Sequence, residues 1–170
     1  MKTATTALRT LRYDEARTYL AAALFTLGNI ALPQLCHTVH LGGPVWLPIY
    51  LFTLVGAYAF GWRTGLLTAL CSPLLNAAIF GMPTAAALPA ILVKSLLLAF
   101  AAGYAARRFG RVSLPVLAGV VLTYQVLGTL GEWTLTGSLH AAAQDFRLGI
   151  PGMLLQVFGG WALLRGIVRR

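Results

Sequence analysis

Lys94 is the residue whose chemistry is easiest to argue, because it stands inside an apolar stretch that otherwise reads as a membrane span. An ammonium at the centre of a span costs roughly 2.5 to 3.5 kcal/mol on insertion scales, so something must compensate it. Either it snorkels to the nearer interface or pairs with an internal carboxylate, or it lines a pocket and holds an anionic group. A carboxylate is at hand: Gln125, Thr129, Glu132 and Thr136 are spaced four, three and four apart and share one helical face. At 1.5 Å per residue Lys94 and Glu132 both fall toward the outer end of their helices, so the two can approach. The pair serves helix packing, or it belongs to a pocket that recognises a small polar solute.

Other polar residues sit at similar depth. Asn76 lies one turn before the Gly81-Met82-Pro83 break and is assigned to the pocket. Gln156, between Gly152 and Gly159, reads either as an interhelical hydrogen-bonding residue or as a pocket residue. Trp133 and Tyr124 stack on a ligand or form part of the aromatic belt at the interface. Cys36, His37 and His40 are close in sequence, yet a tetrahedral site needs a fourth ligand and a supporting shell, so no metal is expected. Neither a nucleophile elbow, a phosphate-cradling loop nor an HExxH helix is present, so the chain has no catalytic constellation and no expected cofactor.

The elements that must position these groups follow from composition. Of 170 residues 58% are hydrophobic and only 10% charged, with a mean hydropathy of +0.77, whereas a soluble domain is about a quarter charged. The chain is expected to be an all-α integral membrane protein in a lipid bilayer. Its net charge of +9 is distributed in small clusters between apolar stretches rather than on one solvated face, so nucleic acid is not the expected partner. Residues 1–18 form a basic segment at the membrane surface. Residues 19–170 form one membrane domain, its first apolar run a retained span rather than a cleaved leader. Six spans are expected, at about 19–35, 45–60, 66–80, 85–106, 114–131 and 150–168, separated by glycine and proline breaks. The second and third are short enough that a re-entrant hairpin would serve equally. Six crossings gather Lys2, Arg9, Arg12, Arg17, Arg63, Arg107, Arg108, Arg111, Arg165, Arg169 and Arg170 on one side, eleven of thirteen basic residues. Both termini are therefore expected to be cytoplasmic.

Residues 42–83 carry Gly42-Gly43-Pro44, Leu47-Pro48-Ile49, Gly61-Trp62-Arg63, Ser72-Pro73-Leu74-Leu75-Asn76 and Phe80-Gly81-Met82-Pro83. The combination resembles the substrate-binding S components of energy-coupling factor (ECF) vitamin transporters. The resemblance implies a six-helix subunit of the bacterial cytoplasmic membrane that captures a vitamin or related micronutrient from outside. It works with a transmembrane coupling subunit and two cytoplasmic ATPases, which would hydrolyse the ATP. Pockets of such proteins are built by the last three helices and the loops after the first, third and fifth. Mapped here, those elements contain His37, His40, Met82, Lys94, Gln125, Glu132, Trp133 and Gln156. Family members dock the coupling subunit through small residues on the first helix; the corresponding spacing here is Thr18, Ala22 and Thr26. The nickel and cobalt members use a histidine just after the initiating methionine, whereas this chain begins Met1-Lys2-Thr3, which disfavours metal uptake. Fold does not fix ligand, but Lys94 inclines the reading toward a carboxylate-bearing vitamin or precursor. The competing class is a scaffold similar to MreD, which needs no internal lysine or polar stripe.

Overall fold

The computed structural model describes residues 10–36 and 42–168. Among them there is helix and no strand. The elements are α1 (Ala16–Cys36), the short α2 (Gly42–Trp46), α3 (Pro48–Phe60), α4 (Trp62–Phe80), α5 (Leu88–Phe109), α6 (Leu114–Thr136), two short helices α7 (Leu139–Ala142) and α8 (Gln144–Leu148), and α9 (Ile150–Val168). Five of these, α1, α4, α5, α6 and α9, are long and apolar enough to cross a membrane.

The expected second span at 45–60 is divided. Leu47 takes a left-handed backbone (φ 44°) before Pro48, and the helix resumes as a three-residue 3₁₀ turn followed by the ten-residue Leu51–Phe60. Proline restricts the residue before it to non-helical geometry, which is why a continuous helix from Val45 fails here. What remains is the centre of the bundle: Leu54, Val55, Ala57 and Tyr58 are essentially inaccessible, and α3 packs against α1, α4, α5 and the C-terminal half of α9. A helix apolar all round is stable only when surrounded in this way.

Helix ends elsewhere depart from expectation by a few residues. α4 begins at Trp62 because Gly61 alone (φ 95°) makes the reversal, a conformation glycine adopts without steric cost. α5 starts at Leu88 with Pro89 in its first turn, where the missing N–H is of no consequence. α6 continues to Thr136, so Glu132 lies within the helix. Of the expected basic segment, residues 1–9 lie outside the described part; Leu11 N–H donates to Phe60 O at 3.0 Å and ties its end to α3. Helix alternation brings Arg63, Arg107, Arg108, Arg111 and Arg165 to helix ends at one pole, the basic pole.

Close packing depends on small residues. A Cβ on Gly65 would stand 2.9 Å from Ala57 Cα, a backbone atom, and 3.2 Å from Ala99 Cβ, at the junction of α3, α4 and α5. Gly65→Ala is expected to destabilise the protein by about 1–3 kcal/mol. Gly119→Ala, where nothing lies within 4 Å, is expected to be neutral or slightly stabilising. Unfolding of both variants in detergent checks the contrast.

Candidate functional site

At the pole opposite the basic pole the helix ends leave a cavity of about 340 Å³. Its wall is assembled from eight places in the sequence: Pro33 and Gln34 of α1, Pro44 of α2, Leu47 to Tyr50 around the break before α3, Asn76 of α4, Met82 to Thr84 in the following loop, Ala87 at the start of α5 with Ala90, Ile91 and Lys94 along it, Glu132 of α6, and Gln144 of α8. Most of this surface is apolar. The two opposite charges, Lys94 and Glu132, meet in it: Lys94 Nζ donates to Glu132 Oε2 at 2.5 Å.

Helix geometry brings the pair together. Ala87, Ala90, Ile91 and Lys94 occupy one face of α5, which packs along α6. The Lys94 stem crosses α6 over Gly128, against which a Cβ would overlap its Cγ, and the ammonium meets Glu132 one turn further on. Burial is unequal: the Lys94 side chain is 3% exposed and that of Glu132 19%. A cation buried within a span is tolerable only with its counter-charge in place. The carboxylate, by contrast, retains an edge toward the cavity. A solute carboxylate entering here would compete with Glu132 for Lys94.

Gly128→Ala therefore forces the lysine off its path, at an expected cost of about 1–3 kcal/mol. In a Lys94→Ala background, where Cγ is gone, the same substitution should cost far less. A double-mutant cycle on thermal stability measures this coupling.

The remaining sequence candidates separate by location. Asn76 is buried at the cavity wall, but its Nδ2 donates to Asn29 O and Ser72 O, each at 3.0 Å, and its Oδ1 accepts from Gln34 Nε2 at 3.4 Å. It ties α1 to α4 as well as facing the cavity. Gln125 and Gln156 are fully buried and are not part of the described cavity wall. Tyr124 Oη donates to Gln156 Oε1 at 2.8 Å, and the Tyr124 ring packs on Tyr50, a cavity residue, with centroids 5.3 Å apart. Gln156 lies on a π-helical turn within α9, Leu155–Gly159; such turns are frequent at functional sites. Among the described residues neither amide atom of Gln125 has a hydrogen-bond partner, nor do Ser95 Oγ, Thr129 Oγ1 and Gln156 Nε2, so α5, α6 and α9 each present buried polar groups there.

Trp133 is 44% exposed and does not contribute to the cavity wall. As the neighbour of Glu132 it is rotated by about 100° around the helix, away from the pair. His37 and His40 lie outside the described residues. Among the described residues no group of three or more His, Cys, Asp or Glu side chains could hold a metal ion. Thr18, Ala22 and Thr26, the expected docking residues, are all buried on the inward face of α1. Their small side chains let α1 approach α3 and α4 closely.

Asn29 was absent from the sequence candidates, yet it is the hub of the adjoining polar network. Its Nδ2 donates to Thr53 Oγ1 at 2.9 Å and Ser72 Oγ at 3.1 Å, and its Oδ1 accepts from Phe52 N–H at 3.1 Å. At the junction from 3₁₀ to α geometry Leu51 N–H already uses Pro48 O, which leaves Phe52 N–H for the side chain. The available signal was an amide inside an apolar span, the same criterion that identified Asn76.

Comparison with known proteins returns no matching family model, no matching curated protein and no matching solved structure.

Proposed function

We propose that this chain is a membrane-embedded substrate-capture subunit of an ECF-type importer. It binds a vitamin or related micronutrient at the pole opposite the basic pole and delivers it inward with a coupling subunit and two cytoplasmic ATPases. In this reading the chain makes six crossings of a bacterial cytoplasmic membrane with both termini inside. The observation that carries the proposal is the apolar cavity with the buried Lys94–Glu132 pair in its wall. Binding pockets for small molecules are concave and mostly apolar, with a few placed polar groups. A cation in such a wall selects for an anionic substituent. The substrate class is therefore a small, largely apolar molecule with one carboxylate.

A thermal-stability panel in detergent tests the reading. A cognate ligand at 100 times its dissociation constant stabilises by about 2.7 kcal/mol, a rise in melting temperature of several degrees. The panel pairs carboxylate-bearing vitamins and precursors with their amides. One acid is expected to stabilise the protein and its amide is not. No response to any compound, together with co-purification of cell-envelope proteins, would favour an MreD-like scaffold.

A further inference from the structure

A second concavity, about 530 Å³, opens on the outside of the bundle at the basic pole, lined among the described residues by Trp62, Phe100, Tyr104, Arg107 and Arg108. It lies at the opposite end of α5 from Lys94 and has no part in the capture site. Phe100, Tyr104, Arg107 and Arg108 recur at i, i+4, i+7 and i+8, so they form a single stripe on α5. Phe100 and Tyr104 are 51% and 68% exposed on the surface of a candidate span, a surface that meets lipid. The Trp62 ring stacks on Phe100 with centroids 5.9 Å apart, and the Arg63 guanidinium sits over the same indole, 5.1 Å from its centroid.

We propose that this groove binds an anionic phospholipid. The order of groups along α5 is that of a phospholipid from tail to headgroup. At 1.5 Å per residue, Tyr104 lies about 6 Å and the arginines about 10–12 Å beyond Phe100. Bound along this stripe, a phospholipid would lay its acyl chain on the Phe100 side of Tyr104 and its phosphodiester against the two guanidiniums, with the Trp62 ring flooring the groove between them. Guanidiniums bind phosphate oxygens in fork geometry, and neither Arg107 nor Arg108 enters an ion pair with a carboxylate among the described residues. The platform distinguishes this site from one for a free anion, which has no use for an apolar floor. The paired cations distinguish it from general lipid contact, which is indifferent to headgroup charge.

Lipid titration of the detergent-purified full chain, with adducts counted by native mass spectrometry, tests this. With phosphatidylglycerol and phosphatidylcholine of equal acyl composition, the first phosphatidylglycerol is expected to bind on the order of tenfold more tightly. Arg107→Gln/Arg108→Gln should abolish that preference. Arg12→Gln/Arg165→Gln, which removes the same charge from the same pole outside the groove, should keep it. Equal affinity for both lipids in the wild type would overturn the proposal. So would equal loss in the two double variants, which would mean a diffuse basic surface, or full displacement of the lipid by inorganic phosphate, which would mean a headgroup site without an acyl platform.

Discussion

Lys94→Met is expected to lower ligand affinity sharply and leave a folded protein, whereas Glu132→Gln is expected to leave capture intact and lower the stability of the empty protein. The asymmetry follows from burial: the lysine side chain is 3% exposed and the glutamate 19%. Methionine can follow the lysine stem over Gly128 while removing the charge, and Glu132 can then face the cavity. A charge-assisted hydrogen bond lost to the ligand is worth about 1.5–3 kcal/mol, or roughly 10- to 100-fold in affinity. Glu132→Gln instead deprives a buried ammonium of its carboxylate, for which about 3–5 kcal/mol is typical of buried pairs. A ligand carboxylate can restore that charge, so ligand should stabilise this variant more than the wild type. Binding titrations and melting curves on the two variants check both halves. Equal effects of the two substitutions on ligand affinity would mean that the pair acts as a packing unit.

Asn29→Leu is expected to produce the largest loss of stability among neutral substitutions at the site, about 2–3 kcal/mol, because it leaves Phe52 N–H without its acceptor in a buried setting. Thr53 and Ser72 lose the amide donor that holds them to α1, and networks of this kind weaken together. Pro33 and Gln34, one turn further along α1, belong to the cavity wall, so ligand affinity should fall as well. Thermal unfolding beside ligand titration distinguishes this variant from Lys94→Met, which loses affinity alone.

Some of this architecture can be read from residue spacing. The stripe Gln125, Thr129, Glu132 predicts which face of α6 turns inward, and the depth of Lys94 predicts that the cation and carboxylate meet. The break at Leu47 was harder to see, because Leu47, Pro48 and Ile49 are all apolar and read as span. Its signal was the restriction that Pro48 imposes on the residue before it. Small-residue spacing on α1 identifies a face of close approach but not its partner, and here that partner is the protein itself. Trp133 enters the expected pocket through the family resemblance; next to Glu132 on one helix, it points about 100° away from the cavity pair. The polar ladder through Asn29, Thr53, Ser72 and Asn76 depends on α1, α3 and α4 meeting at one depth, which no single segment encodes.

Capture of a small carboxylate-bearing solute by the cavity walled by Lys94 and Glu132, as proposed, leaves a chemical trace in the purified protein. The most direct measurement is to purify the protein in detergent from cells grown in rich medium, denature it, and identify the small molecules released by liquid chromatography and mass spectrometry, with Lys94→Met treated in parallel. A near-stoichiometric carboxylate-bearing micronutrient is expected to be released from the wild type and to be absent from the variant. The same compound released equally from both, or none from either in a protein that also fails to respond to the ligand panel, would contradict capture at this site.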